Sequence, residues 1–213
     1  MPFFPFPIVL PKDWCGIRAQ VTYILGQAQL DWYDGWNPPP DGHKIPEGER
    51  LPGGSFRMIA HLEEYWKAVK GVGPGIPNYK VGDPAVNARN SALNNEAWSA
   101  AFVSWAMQLA GVSENDGFIF SRRHIVYIVQ ALSNARKNDQ QRPVHLRAAS
   151  TPVQPGDIMC FNVPVGNSST NYSLADLAAQ HLDGQNNVIN LANVFGSSHC
   201  DIVKEIITDG ARR

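Results

Sequence analysis

Ser99 opens the apolar run Trp98-Ser99-Ala100-Ala101-Phe102-Val103-Ser104-Trp105-Ala106-Met107, and far downstream His199 and Asp201 stand two apart in His199-Cys200-Asp201-Ile202-Val203. The first stretch reads as a buried helix whose opening turn carries one hydroxyl. Amides and dipole at a helix N-terminus favour negative charge, so a thiolate or a developing oxyanion at position 99 would gain from that field. The second stretch reads as a strand. Period-2 alternation puts His199 and Asp201 on one face, with Cys200 and Ile202 on the other. A His that shares a strand face with a carboxylate is held in one tautomer and made more basic. Ser99 as nucleophile, His199 as base and Asp201 as the orienting carboxylate would together support acyl transfer at an amide or ester. The plain structural alternative is a helix-start serine and a surface His–Asp pair. A metal centre fits less well, because no third and fourth ligands stand at suitable spacing.

Other side chains could join such a site. Trp98, with Phe102 and Trp105, would wall it and anchor the helix. Glu96 could contact substrate or simply favour the helix dipole. His124 lies one helical turn before Ile128, on a helix that could border the cleft, and otherwise serves as a capping or core hydrogen-bonding group. Asn190 or Asn193 is a second choice for the orienting residue. Glu63 and Glu64 could serve a lysozyme-like mechanism, although nothing in their spacing demands it. Trp32, Tyr33 and Trp36 could stack on sugar rings or pin a loop to the core.

The elements that must position these groups can be read from periodicity. Ile17, Val21, Ile24, Leu25 and Ala28 predict a helix over 13–33 with Asp13 as N-cap, and a second helix is expected over 55–70 with Ser55 as cap. The Ser99 helix should run from about Asn95 to Leu109 and stop at Gly111. Ser121 to about Ala135 reads as another helix. Gln154-Pro155-Gly156-Asp157 is a turn leading into a strand over 158–163. A short helix is expected over 173–181, with strands over 187–194 and 200–207 and a turn at Asp209-Gly210. Helices fill the first two thirds and a small antiparallel sheet the last third, which argues for an α+β fold.

The chain's 213 residues suffice for one large domain, and its 44% hydrophobic and 17% charged residues are globular in balance. A net charge of -1 gives no electrostatic case for nucleic acid or an anionic membrane surface. Cys15, Cys160 and Cys200 form neither a zinc pattern nor a disulfide framework, though one bridge is open to them. Cys160 would lie inside a strand and Cys200 away from His199, so neither replaces Ser99 easily. The N-terminal stretch Met1 to Pro11 is apolar but broken by prolines. It reads as an extended arm on the surface, neither a signal peptide nor a membrane span.

Several of these motifs resemble a known superfamily. Trp98-Ser99-Ala100-Ala101-Phe102-Val103 followed by Ala110-Gly111 is similar to the Trp-Cys-Ala-Ala-Phe-Val helix of NlpC/P60 and CHAP-type cell-wall hydrolases. Pro155-Gly156-Asp157-Ile158 resembles their Pro-Gly-Asp strand entry, and His199 to Val203 their catalytic His strand. The DUF2272 family is the nearest match. It shares the Trp-Ser-Ala-Ala-Phe helix, the Ser-x-x-His-x-x-Tyr-Ile segment (Ser121, His124, Tyr127, Ile128) and His-Cys-Asp-Ile-Val. The resemblance implies a papain-like α+β fold, with 1–54 an arm, helix and Pro-rich loop packed on a catalytic domain of 55–213.

It also implies an amidase or endopeptidase acting on peptidoglycan without a cofactor. Ser99 stands at the nucleophile position and His199 at the base position. The family's orienting residue normally lies on the strand after the His; here Asp201 is the first substitute for it and Asn190 or Asn193 the second, while Trp98, Glu96 and His124 are the candidate substrate contacts. Such a protein without a signal peptide would reach the periplasm or wall by a route other than Sec. It would do so as an injected antibacterial effector, whose partner would be an immunity protein, or as a phage lysis protein. The departure is serine in place of cysteine. A Cys thiol is partly ionised at neutral pH and intrinsically nucleophilic, whereas Ser needs a base to take its proton in the transition state. The resemblance therefore leaves room for a Ser hydrolase, an inactive wall-binding module, an engineered Cys-to-Ser variant, or an acyltransferase or esterase on the same frame.

Overall fold

The computed structural model of the protein describes residues 6–9, 15–32, 52, 57–69, 98–139, 141–146, 150–162, 173–191 and 198–206. Its helices are α1 (Cys15–Trp32), α2 (Ile59–Ala68), α3 (Ser99–Leu109), α4 (His124–Lys137) and α5 (Leu174–His181). Its strands are β1 (Phe6–Val9), β2 (His145–Leu146), β3 (Ile158–Asn162) and β4 (Ser198–Ile202). The class is α+β. The sheet runs β2-β1-β3-β4 with every neighbouring pair antiparallel.

α4 is the central helix. Ile125, Val126, Tyr127, Ile128, Val129, Ala131 and Leu132 are all buried, as are the polar Gln130, Ser133 and Asn134, so it is covered nearly all round. It packs on the sheet and on α5. α3 links two apolar clusters: Ala100, Val103 and Met107 join α1 and α4, while Ala101 faces Leu62, Tyr65 and Val69 of the α2 region. Met58, just before α2, completes the second cluster. No described helix is long and apolar enough to cross a membrane.

The N-terminal segment differs from the surface arm expected of it. β1 is an interior strand, paired with β3 through Phe6, Pro7 and Ile8, and with β2 through Ile8 and Val9. Pro7 has no N–H to give, and it falls where β1 pairs with β3 alone. The sheet therefore does not belong only to the last third of the chain. The strand expected over 187–194 is also corrected. Asn186 and Asn190 adopt φ of 62° and 55°, which interrupts an extended run, and the described part keeps one bridge, Leu182 to Val188. The carboxylate of Asp183 instead gathers the amides of Gln185 and Asn187 into a side-chain-stabilised turn. The expected caps Asp13 and Ser55 and the turn at 209–210 lie outside the described residues.

The Gln154–Asp157 turn forms as read. Pro155 and Gly156 fill its centre, and Gly156 has φ of 86°. A Cβ there would meet Arg18 Cγ at 2.5 Å, so glycine is required twice over. Asp157 is fully buried, and its Oδ2 accepts from the Gln154 amide at 2.8 Å. Arg18 of α1 donates to Asp157 Oδ1 at 2.6 Å and to the Pro155 carbonyl at 3.1 Å. A buried carboxylate is tolerable only with such partners. Beyond the turn, Cys160 and Cys200 are direct cross-strand partners and form a disulfide. It closes a loop of 40 residues, for which the chain-entropy model gives roughly 4 kcal/mol of stabilisation.

Replacing Arg18 by methionine leaves the Asp157 carboxylate buried without its cation. Arg18→Met is expected to lower unfolding free energy by about 3–5 kcal/mol, read from urea denaturation. Adding Asp157→Asn should recover part of that loss, because a neutral amide needs no counter-charge. A single variant with the wild-type midpoint would show that the pair does not fasten α1 to the sheet.

Candidate active site

Two helix N-termini meet at the site. Ser99 is the first residue of α3, and His124 is the first residue of α4. Their side chains are bonded, with Ser99 Oγ 2.8 Å from His124 Nε2. The first-turn amides of α3 have no acceptor within the helix, since the earliest helical bond there runs from the Phe102 amide to the Trp98 carbonyl. A negative oxygen forming beside Ser99 would meet those amides and the positive end of the dipole.

A buried chain of hydrogen bonds holds the two helix starts in register. The Ser121 amide donates to Ser104 Oγ at 2.9 Å, and Ser104 Oγ lies 2.7 Å from the Tyr127 hydroxyl. The Tyr127 hydroxyl has its proton between two carbonyl acceptors, those of Ser121 and, at 2.7 Å, of Ala100, one residue after Ser99. Burial pushes the Tyr127 phenol pKa upward, so it remains a donor. The Ser121 hydroxyl in turn accepts from the Arg123 amide at 3.0 Å. The Ser-x-x-His-x-x-Tyr segment thus acts as one device: Ser121 shapes the entry to α4, His124 meets Ser99, and Tyr127 ties α4 to α3.

His199 stands behind this pair. Its ring packs edge-on to His124, with centroids 4.9 Å apart and planes at 65°. On its other side is Phe161, at 5.3 Å. His199 Nε2 is 3.0 Å from Asp201 Oδ1, so β4 does put the two on a common face. Cys200 between them is buried in the disulfide, with Sγ against the His124 carbonyl at 4.0 Å. The disulfide therefore fastens β4 beneath the site, and neither Cys160 nor Cys200 carries a thiol to act as nucleophile.

His124 is 94% buried by area, with a relative exposure of 6%. Burial, reinforced by the neighbouring His199, pushes its pKa down from 6.5 to about 3. The positive end of α4 acts in the same direction. His124 is thus a neutral imidazole at any pH near neutrality, and its Nδ1 is buried without a hydrogen-bond partner among the described residues.

The sequence-expected residues fall as follows. Ser99, His199 and Asp201 come into one cluster, but the hydroxyl's hydrogen bond goes to His124 and not to His199. His124, expected to touch substrate or to cap, is Ser99's direct partner. Trp98 flanks Ser99 and packs with Tyr65 and Phe102, at 5.8 and 6.4 Å between centroids. Glu96 and Asn193 lie outside the described residues, as do Tyr33, Trp36 and the side chains of Trp32 and Glu63. Asn190 is exposed. Glu64 is exposed and paired with Lys67, which leaves it without the burial a lysozyme-like acid needs. Sequence reasoning missed the Ser104–Tyr127 bracket and the pairing of Ser99 with His124. The available signal was the spacing of His124 and Tyr127, three apart on one helix face. Among the described residues, no three His, Cys, Asp or Glu side chains are grouped to hold a metal ion.

The depressed His124 pKa has a consequence for stability. Between pH 6.5 and about 3 the unfolded imidazole binds a proton that the folded one refuses, so stability falls as pH falls through this window. The slope reaches up to about 1.4 kcal/mol per pH unit for one such group. His124→Asn should flatten the fall in urea midpoint between pH 6.5 and 4 relative to wild type. His181, also lowered by burial, should leave a residual slope. Parallel curves for the two proteins would show that His124 titrates normally when folded.

The chain matches no curated protein and no solved structure. Residues 62–212 match the family described as "Uncharacterized protein conserved in bacteria (DUF2272)", a span that takes in α3, α4, β3 and β4 and with them Ser99, His124, His199 and Asp201. The chain belongs to the DUF2272 family.

Proposed function

We propose that this protein is an acyl-transfer hydrolase with Ser99 as nucleophile and His124 as its proton acceptor. It would act on amide bonds of peptidoglycan, as an amidase or endopeptidase on a papain-like frame of the NlpC/P60 kind. The observation that carries this reading is the 2.8 Å contact between Ser99 Oγ and His124 Nε2 at the N-terminus of α3. That distance is within the reach required of a nucleophile and its base. In the reaction, Ser99 Oγ bonds to the substrate carbonyl carbon as its proton passes to His124 Nε2. The carbonyl oxygen becomes an oxyanion facing the first-turn amides of α3. Collapse breaks the C–N bond, and the leaving amine takes the proton from His124. Water, deprotonated by His124, then cleaves the acyl ester and restores Ser99. The motif resemblance in the α3, Pro-Gly-Asp and His-Cys-Asp-Ile-Val segments supports the choice of substrate.

The Cys160–Cys200 disulfide supports an oxidising location such as the periplasm or the cell wall. Delivery there as an antibacterial effector would bring an immunity protein as partner. A second reading is favoured by one observation. An imidazole held to a pKa of about 3 is a weak base, which suits a wall-binding module that keeps the frame without the chemistry.

A digest of purified peptidoglycan, read by mass spectrometry, separates the readings. Wild type should release muropeptides, and Ser99→Ala should lose roughly 100-fold or more of that rate. Ser99→Cys reports on the frame: a site shaped for sulfur gains activity, and one tuned to the shorter C–O bond loses it. Wild-type and Ser99→Cys proteins that bind peptidoglycan and release nothing would move the protein to the binding class.

A further inference from the structure

If Ser99 is the nucleophile, His124 Nε2 must hold a lone pair to receive its proton. The single proton of the neutral ring then sits on Nδ1. That nitrogen is buried and has no partner among the described residues. A buried N–H without an acceptor is a costly arrangement, and it leaves the imidazolium formed during reaction unsupported. Of the described rings packed against His124, Tyr127 already has its hydroxyl on the Ser121 and Ala100 carbonyls. His199 is the other.

The tautomer of His199 is fixed from its far side. Asp201 is an acceptor only, so His199 Nε2 bears a proton and donates at 3.0 Å, and in the neutral ring Nδ1 carries the lone pair. The ring centroids of His124 and His199, 4.9 Å apart, already stand at about the spacing of two imidazoles joined by one N–H···N bond. Their planes stand at 65° and Nδ1 of His124 meets no acceptor among the described residues, so forming that bond takes a rotation of the His199 ring. The His199 side chain is 34% exposed, so its ring has a solvent side toward which to turn.

We infer that His199 is the positioning residue of the Ser99–His124 pair, accepting the Nδ1–H of His124 on its own Nδ1 while Nε2 stays on Asp201. The polarity is then consistent from end to end: Ser99 O–H to His124, His124 N–H to His199, His199 N–H to Asp201. The outer His and its carboxylate do together what a single carboxylate does in a Ser-His-Asp triad. This assignment rests on the reading of Ser99 as nucleophile, and it makes His124, not His199, the group that takes the proton.

Two measurements on the whole 213-residue chain test it separately. Long-range ¹H–¹⁵N spectra of the histidine side chains report tautomers without any turnover. Wild-type His124 should carry its proton on Nδ1 with a downfield, exchange-protected signal, and His199→Ala and Asp201→Asn should lose that signal. Labelling by a fluorophosphonate probe reports the reactivity of Ser99. It should fall about 100-fold in His199→Ala, with partial rescue in His199→Asn, whose amide oxygen can accept. Should His199→Ala fail to fold, the Asp201→Asn spectrum and the His199→Asn labelling rate carry the test. A His124 tautomer unchanged by these substitutions overturns the relay, whatever the labelling shows. Wild-type Ser99 that resists the probe overturns the hydrolase reading instead, and the spectra still decide the relay.

Discussion

The hydrogen-bond chain from the Ser121 amide through Ser104 and Tyr127 to the Ala100 carbonyl sets the separation of two helix starts, and the candidate site depends on that separation. Each helix alone offers only a polar residue at a positive dipole end, which many proteins have. Fixed together, they place a hydroxyl against an imidazole that burial keeps neutral. The bracket is itself buried: Ser104 and Tyr127 are at 0% exposure. In such surroundings a satisfied hydrogen bond is strong and an unsatisfied one is costly, so the arrangement has few alternatives.

Around the bracket the molecule is fastened from two further directions. The Arg18–Asp157 pair binds α1 to the turn that starts β3. The Cys160–Cys200 disulfide binds β3 to β4, whose next residue on either side is His199 or Asp201. The inner pair thus rides on helices and the outer pair on a cross-linked strand. Rigid elements hold side-chain geometry more closely than loops do.

Much of this was legible in the sequence where local physics decides. The α3 helix, its stop at Gly111, the Pro155-Gly156 turn and the strand after it follow from periodicity and turn chemistry, and the shared face of His199 and Asp201 follows from the pleat. Three things were not legible, because each depends on contacts distant in sequence. Pro-rich β1 looks like an arm until β3 is present to pair with it. Cys160 and Cys200 become partners only in one strand register. Ser99 chooses His124 over His199 because the bracket brings α4 to α3, a packing fact that spacing within either segment does not contain. The strand expected from 187 does not form through the described residues to 191, and for a local reason, since Asn residues tolerate the left-handed backbone that ends an extended run.

The pairing of β1 with β3 joins the first residues of the chain to residues near 160, and Arg18 meets Asp157 across 139 positions. During synthesis at about 5–20 residues per second, β1 waits on the order of ten seconds for its partner strand to emerge. For that interval an apolar strand has both edges unpaired, and the helices that form meanwhile cannot cover the sheet that does not yet exist. The segment of 62–212 that carries the family match contains neither β1 nor Arg18. Taken alone, it would inherit the site's residues without the strand and the cation that let β3 fold beneath them. The sheet beneath this site is therefore completed by contacts separated by about 140 to 150 residues, pairings of the kind whose loop-closure cost slows folding.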